Sequence, residues 1–485
     1  MSLNFCDLLV LGSDLSGVMA ATLLAKRGLN VLILDDDEDD DLHPNLVTGL
    51  GAKSFKSFLG KLMIPDSKLQ VLHENKVGCQ VIFPKHRLDL YSSRPALLKE
   101  IEREFPEERA LFEELMGEVD RLRETYLEEA FSYLPLVSEK EKKKFIKWFQ
   151  SFPEQKLLSL WNQLSPTFQC LIKVQLRFFS RNLVMDPPIL QLLLFLTPEG
   201  LTSYSIRGGA RELKKIFFDK LDYFGGMVHP LREDTFQILS KGQEIRGAQL
   251  TRYNFPTRCR YLLGNMDIKS LYQELPTPLL SFFSQRKKKV FSLNSAEERR
   301  VLQYQLSRKI LPEPMKENVI IVSDPLAPVV GSNYLEVNLY PLYKGASEEF
   351  DTLMTVTYSI SANNLGNGGN SNFLEKIHQE IDHRLRKLLP FSDSHLKRVF
   401  PKTNEPVTEP TLFPEVVEDS NLLDRIGRGR LAYSPSLVFP TLESNFKNLT
   451  VVGPNILDWL GMEGKMLTAL KAVEAIWTQE LKTKS

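Results

Sequence analysis

"LLVLGSDLSGVMAATLLAKRGLNVLILDDDEDDD", residues 8–41, reads as an apolar strand, a glycine turn, a helix and a second strand that ends in acid. "DLLVLG" (7–12) is a near-continuous apolar run, as in a parallel strand covered on both faces. "LSGVMAATLLAKRG" (15–28) is rich in Ala and Leu and stops at a glycine, and "NVLILD" (30–35) is the second strand. The pattern is that of a dinucleotide-binding β-α-β unit. In such units a GxGxxG turn brings backbone N–H groups and a helix N-terminus up to a pyrophosphate. Gly12 and Gly17 hold the first and third glycine positions, but Asp14 holds the second and adds bulk and negative charge. Ser13, Asp14, Leu15 and Ser16 complete the turn as candidate cofactor contacts. Asp35 follows Gly12 by 23 residues, about where a ribose-binding acid belongs. The seven acids Asp35 to Asp41 read as a solvated loop, with docking of a basic protein partner as the alternative.

Outward from this unit, "CQVIFPKHRLDLY" (79–91) alternates around Pro84–His86 and predicts a hairpin. Residues 95–195 are mostly helical in pattern, and "ILQLLLFL" (189–196) reads as a core helix. Strand signals return at 226–250, "RYLLGN" (260–265), "NVIIVSD" (318–324), "YLEVNLYPLY" (334–343) and "LMTVTYSI" (353–360). A helix is expected at "NFLEKIHQEIDHRLRKLL" (372–389), and "NLTVVG" (448–453) is a strand before a last helix. That strand is expected to lie parallel beside the first two. "LGNGGN" (365–370) is read as a flexible loop, since no strand–turn–helix frames it as a phosphate loop.

Four segments together carry a family resemblance. "NLTVVGPNILDWLGMEGKMLTALKAVEAI" (448–476) resembles the flavin-contacting end of the FAD-dependent amine oxidase and phytoene desaturase superfamily, through Gly453, Gly461, Glu463 and Gly464. "VIFPKHRLDLYSSRPALLKEIEREFPEE" (81–108) resembles the first hairpin and following helix of the phytoene desaturase branch, which includes carotenoid isomerases and retinol saturases. "GLTSYSIRGGARELKKIFFDKLDYFGGMV" (200–228) is similar to its tyrosine–glycine–glycine segment. "CRYLLGNMDIKSLYQELP" (259–276) is similar to a strand end with Asn265 and Asp267 in register.

The resemblance implies an α/β protein with a GR2-type FAD/NAD(P)-binding, Rossmann-like lobe and a mixed-sheet and helical substrate lobe. The first lobe would be discontinuous, from 1–75, 200–265 and 420–485. The second would comprise 76–199 and 266–419, with a helical cap at about 95–195. FAD is the implied cofactor, contacted by the turn residues, Asp35, Gly453, Pro454, Gly461, Met462 and Glu463. The implied ligand is a long apolar, isoprenoid or lipid-like molecule.

Every departure from the family pattern falls where FAD would be held. Asp14 replaces the middle glycine. "DDEDDDLHPNLVTGLGAKS" (36–54) stands where the family has Gly-Gly-Arg beside the pyrophosphate. Pro454 replaces the acid that binds the ribityl chain and has no N–H to donate. Trp459 and Leu460 stand in place of small turn residues. Each buried polar partner lost costs about 1–3 kcal/mol. The expectation is therefore a flavoprotein fold with FAD binding weakened or lost. Two alternatives stand beside it. One is an active FAD-dependent oxidoreductase of desaturase or isomerase type. The other is a binding protein similar to Rab GDP-dissociation inhibitors, which share the fold, lack a flavin role and hold a prenylated partner.

A chain of 485 residues is too long for one compact core. Lys+Arg and Asp+Glu both number 61, which gives no global basic field for nucleic acid. Cys6, Cys79, Cys170 and Cys259 are scattered without CxxC or Cys/His spacing, so no metal site is expected and free thiols in a cytoplasmic protein are. The first strand starts almost at Met1, and no apolar run approaches the ~18–20 residues of a membrane span. His378 and His383 are five apart, off a common helix face, and are read as surface residues. No GxSxG, GxxxxGK[ST] or Cys–His motif assigns a catalytic residue. "KEKKKFIKWFQSF" (140–152) mixes Lys140, Lys142, Lys143, Lys144 and Lys147 with Phe145, Trp148, Phe149 and Phe152. It reads either as a peripheral membrane contact or as a helix with its aromatic stripe turned inward.

Overall fold

The first sheet grows from β1 (Phe5–Leu11), whose residues Leu8, Leu9, Val10 and Leu11 are fully buried although they alternate between its two faces. The computed structural model describes residues 5–36, 47–150, 155–180, 189–196, 203–206, 209–231, 234–251, 256–275, 297–329, 331–341, 350–361, 371–389, 391–399, 416–419 and, apart from 443, 445, 455, 458 and 459, residues 442–484. β1 pairs in parallel with β2 (Val31–Asp35). The connection is helix α1 (Leu15–Lys26), buried from Leu15 to Ala25. Beyond β2 lies β3 (Met227–Pro230), also parallel. A hairpin of β4 (Phe236–Lys241) and β5 (Glu244–Leu250) leads into β6 (Thr257–Gly264), which returns parallel to β1. The spatial order is β3-β2-β1-β6-β5-β4.

β7 (Leu449–Val451) pairs in parallel with the far end of β6. It lies in the sheet with β1 and β2, but β6 separates it from β1. This differs from the expected order, in which it lies directly beside them. β6 takes the inner place because its ends serve two partners. Thr257 and Arg258 pair with β5, while Leu262 to Gly264 pair with β7. Helix α2 (Gly209–Tyr223) and helix α3 (Gly461–Lys484) pack near α1.

The second sheet holds the predicted hairpin, Val77–Ile82 with Arg87–Tyr91, followed by Asn318–Val322, Gly331–Pro341, Thr352–Ser361, Glu297–Leu306 and Leu396–Val399. Val416–Asp419 also pairs with Glu297–Leu306. One face packs Leu335, Val337 and Val356 against Ile377, Ile381 and Leu385 of the helix Ser371–Leu388. Along the same strands, the alternate positions Glu336, Asn338, Thr355, Thr357 and Ser359 are buried and polar. Arg177, from the helix Pro166–Ser180, reaches this face. It donates to Ser359 Oγ at 2.6 Å, and its guanidinium lies 4.8 Å from the Tyr334 ring centre.

Most described residues between 94 and 195 lie in successive helices, and in Ile189–Phe195 the side chains of Leu192, Leu193 and Phe195 are core. In the lysine-rich helix Glu139–Gln150, Phe145 is fully buried, with ring centres 5.7 Å from Tyr133 and 5.5 Å from Trp148. Lys140, Lys143, Lys144 and Lys147 are exposed. The side chains of Lys142 and Phe149, all of Phe152, and the glycine loop 365–370 lie outside the described residues. His383 is exposed, but His378 is not a surface residue. Tyr358 OH lies 2.6 Å from its Nε2, and Arg398 donates to its Nδ1 at 2.8 Å. Burial and Arg398 hold His378 below its ordinary pKa, which keeps the ring neutral. No described helix is long and apolar enough to cross a membrane.

Candidate functional site

The glycine turn sits at the carboxyl ends of β1, β6 and β7, the end of a parallel sheet where ligands bind in open α/β folds. Gly12 has φ +90°, and a Cβ there would lie 2.4 Å from the Asn265 carbonyl oxygen, so the turn requires glycine. A Cβ on Gly17 would lie 2.0 Å from Cγ of Asn265. The third glycine of the motif thus makes room for a side chain. Asn265, just past β6, is 1% exposed and bonds throughout. Its Nδ2 donates to the carbonyls of Gly12 (3.2 Å) and Asp14 (2.9 Å), and its Oδ1 accepts from Gly17 N–H at 3.0 Å.

Asp14 is the N-cap of α1. Its Oδ1 accepts from Ser16 N–H at 2.9 Å and from the Ser16 hydroxyl at 2.5 Å. Its Oδ2 lies 2.6 Å from Nζ of Lys465 on α3, and both side chains are largely buried. Burial alone would push the Asp14 carboxyl up. The Lys465 ammonium and the Ser16 donors prevail and hold it below the usual carboxylate range. Gly453, after β7, donates its N–H to Ser16 Oγ at 3.1 Å, which ties the two glycine segments together.

A second carboxylate closes the other side. Asp36 Oδ1 accepts from Ser13 N–H at 3.1 Å and from the Ser13 hydroxyl at 2.9 Å. Lys214 of α2 donates to Ser13 Oγ at 2.5 Å and lies 3.6 Å from Asp35 Oδ1. Burial raises the Asp36 carboxyl, against the pull of Ser13 and Lys214. The solvated-loop reading of the acidic run is therefore corrected at its start. Asp35 is buried and Asp36 half-buried, because each meets donors of the turn or α2. Residues 37–41 lie outside the described residues.

The flavin-facing segment of the resemblance is packed with the chain's own apolar groups. Ile456, Leu457, Leu460, Met462 and Met466 belong to the main core with Phe178 and Phe179. Gly461 opens α3, Glu463 in its first turn is buried, and Pro454 is half-buried. Trp459 lies outside the described residues. The structure thus brings Gly12, Ser13, Asp14, Ser16, Gly17, Asp35 and Gly453 into one bonded cluster. Leu15 and Met462 turn into the core.

Sequence reasoning missed Lys465 and Lys214, cations of the cluster. No spacing rule links residues 451 positions apart in the chain. The only available signal was charge. An aspartate on a phosphate turn needs a cation, and Lys465 lies one turn into the helix already singled out.

Chemically, the Ser13, Ser16 and Gly17 N–H donors are each taken by a side chain of the protein. Among the described residues, three carboxylates face two ammonium groups there, an excess of negative charge. The cysteines offer no ready nucleophile. Burial pushes Cys170 up to about 11 and Cys259 up to about 12, and raises Cys6 and Cys79 as well. Among the described residues, no group of three His, Cys, Asp or Glu could hold a metal ion.

No protein-family profile matches the chain, and no curated protein matches it in sequence. Solved structures do match. An oxidoreductase from Methanosarcina mazei is 13% identical over 96% of this chain and 100% of its own, with a TM-score of 0.55. Putrescine oxidase, wild type bound to putrescine, is 12% identical over 98% of this chain and 99% of its own, also at 0.55. The PF1083 protein from Pyrococcus furiosus is 12% identical over 97% of each chain, at 0.52. At these identities the likeness is one of fold. The chain shares the α/β, Rossmann-type fold of these proteins.

Proposed function

We propose that the chain is a binding protein built on a flavin-oxidoreductase fold, in which the dinucleotide turn has become a structural joint and no longer holds FAD tightly. The observation that carries this reading is the Asp14–Lys465 ion pair at the head of α1. A diphosphate needs the N–H donors and positive helix end that Asp14, Asp36 and Asn265 occupy. To bind there it would have to break a buried ion pair and enter a cluster with an excess of negative charge. The residues present do not fit the cofactor, so no reaction step is assigned to it.

The ligand on this reading is a long apolar molecule with a hydrogen-bonding head group. Its apolar part is what the family resemblance implies. Support for the head group is the buried pair Asn338 and Thr355, in register on neighbouring strands, whose side chains have no hydrogen-bond partner among the described residues. A prenylated protein, as in the dissociation inhibitors, presents the same apolar chemistry.

An active FAD-dependent oxidoreductase is the second reading, favoured by Gly12, which keeps the positive φ and close approach of a working turn. Titration with FAD, read as melting temperature, separates the two. Ligand at ~100 times Kd stabilises a native state by about 2.7 kcal/mol, an easily seen shift. The binding-protein reading expects no shift in wild type. It expects a gained shift in Asp14→Gly/Pro454→Asp, which frees Lys465 and restores a sugar ligand. A wild-type shift at micromolar FAD would overturn it.

A further inference from the structure

At the opposite end of the first sheet, where the parallel strands begin, lies a cleft of about 770 Å³. Phe5 opens β1, Arg258 lies at the start of β6, and Lys447 and Asn448 precede β7. The β4–β5 hairpin adds Lys241, Glu244 and Arg246. The volume is that of a small-molecule site. Its lining is far from the neutrality of the chain as a whole. Lys241, Arg246, Arg258, Arg260 and Lys447 face a single acid, Glu244. Arg246 is paired to Glu244 at 2.9 Å, and Arg260 is held by Asp7 at 3.2 Å and Glu480 at 2.7 Å. Lys241, Arg258 and Lys447 are exposed and have no ion-pair partner among the described residues.

We infer that this cleft binds a polyphosphate group. Three uncommitted cations around one concave surface focus a positive field that a single carboxylate would leave mostly unmatched. One guanidinium and two ammonium groups lining the same cleft suit several phosphate oxygens at once. The source of the polyphosphate is either inorganic or a nucleotide. Phe5, 49% exposed at the rim, offers a flat apolar face on which a base can stack. The inference stands apart from the function proposed above. No residue of the glycine turn lines the cleft, so FAD binding or its absence does not bear on it.

The test is calorimetric titration of the full chain with sodium tripolyphosphate and, separately, with ATP. Saturable binding of both is expected, weakening as salt rises. Lys241→Ala, Arg258→Ala and Lys447→Ala should each lower affinity about 3- to 10-fold, and Lys241→Glu/Arg258→Glu/Lys447→Glu should abolish it. Glu244→Gln removes the one acid and frees Arg246, so it should tighten binding. That gain cannot come from misfolding. Phe5→Ala should weaken ATP alone if the ligand is a nucleotide, and change neither if it is inorganic. Absence of saturable binding in wild type, or affinity unchanged in the triple charge reversal, overturns the inference, as does weaker binding by Glu244→Gln.

Discussion

The two ends of the first sheet handle charge in opposite ways. At the carboxyl end, Asp14, Asp35, Asp36, Lys214 and Lys465 are buried or half-buried, and each meets a partner in the turn or on α2. At the amino end, Lys241, Arg258 and Lys447 stand exposed around an open cleft. In folds of this kind, ligands bind at the carboxyl end of the strands, because helix N-termini and loose N–H groups point there. Here that end has satisfied itself, and the unmet charge is found at the other. A fold therefore says where a site can be, while the bonding of individual donors says whether it is still available.

The largest effect that can break this contrast is removal of Asp14. Asp14→Ala breaks the buried ion pair to Lys465 and takes the acceptor from the Ser16 N–H, and should cost about 3–5 kcal/mol of stability at neutral pH. Urea unfolding measures it. The folded-state pKa of Asp14 is lowered, so its stabilisation is complete above the unfolded carboxylate value of about 3.9. It is lost as pH falls through the lower folded value, and wild type and variant should converge in strong acid. A variant as stable as wild type at neutral pH would show that the pair is not buried as described.

Gly17→Ala comes next. Its methyl would overlap the Asn265 amide, which must move and release Gly17 N–H and two carbonyls. Overpacking of this kind costs about 1–3 kcal/mol. An unchanged urea midpoint would mean that Asn265 can leave the turn freely.

Asp36 gives a smaller effect of opposite sign. Its folded pKa is raised by burial, so its contribution to stability is most favourable below the unfolded value and is lost as pH rises through the folded one. Asp36→Asn keeps an acceptor for Ser13 without the charge. A slightly higher melting temperature than wild type is expected at neutral pH, fading on acidification. A lower one at neutral pH that converges with wild type in acid would instead assign Asp36 a stabilising charge.

The smallest effect belongs to an exposed surface outside the sheet. Lys143→Glu/Lys144→Glu/Lys147→Glu should leave urea unfolding unchanged, since all three side chains are solvated. It should reduce salt-sensitive sedimentation with anionic vesicles, each lysine contributing about 1 kcal/mol near such a surface. Phe145, being buried, adds nothing to such attachment. Equal sedimentation of variant and wild type would exclude this helix as the membrane contact.

The β-α-β unit was legible because its signals are local. Strands buried on both faces, an Ala- and Leu-rich helix and a glycine of positive φ leave direct marks in composition and spacing. Asn265 was found through its strand end, although its bonds to Gly12, Asp14 and Gly17 were not. Lys465 and Lys214 were illegible because their meaning depends on helices packed beside α1 from distant parts of the chain. Asp36 was hidden inside an acidic run whose average reading, solvation, is wrong for its first two members. His378 shows the same limit. Its helical spacing excluded a metal pair but could not reveal Tyr358 and Arg398 on facing strands.

Visible absorption of the full chain purified without added cofactor, with assay of flavin released on denaturation, tests most directly whether the carboxyl end has closed. A colourless protein that releases no flavin is the expected result. One flavin per chain would contradict it, because Asp14 would then have to leave Lys465 and point away from a bound diphosphate.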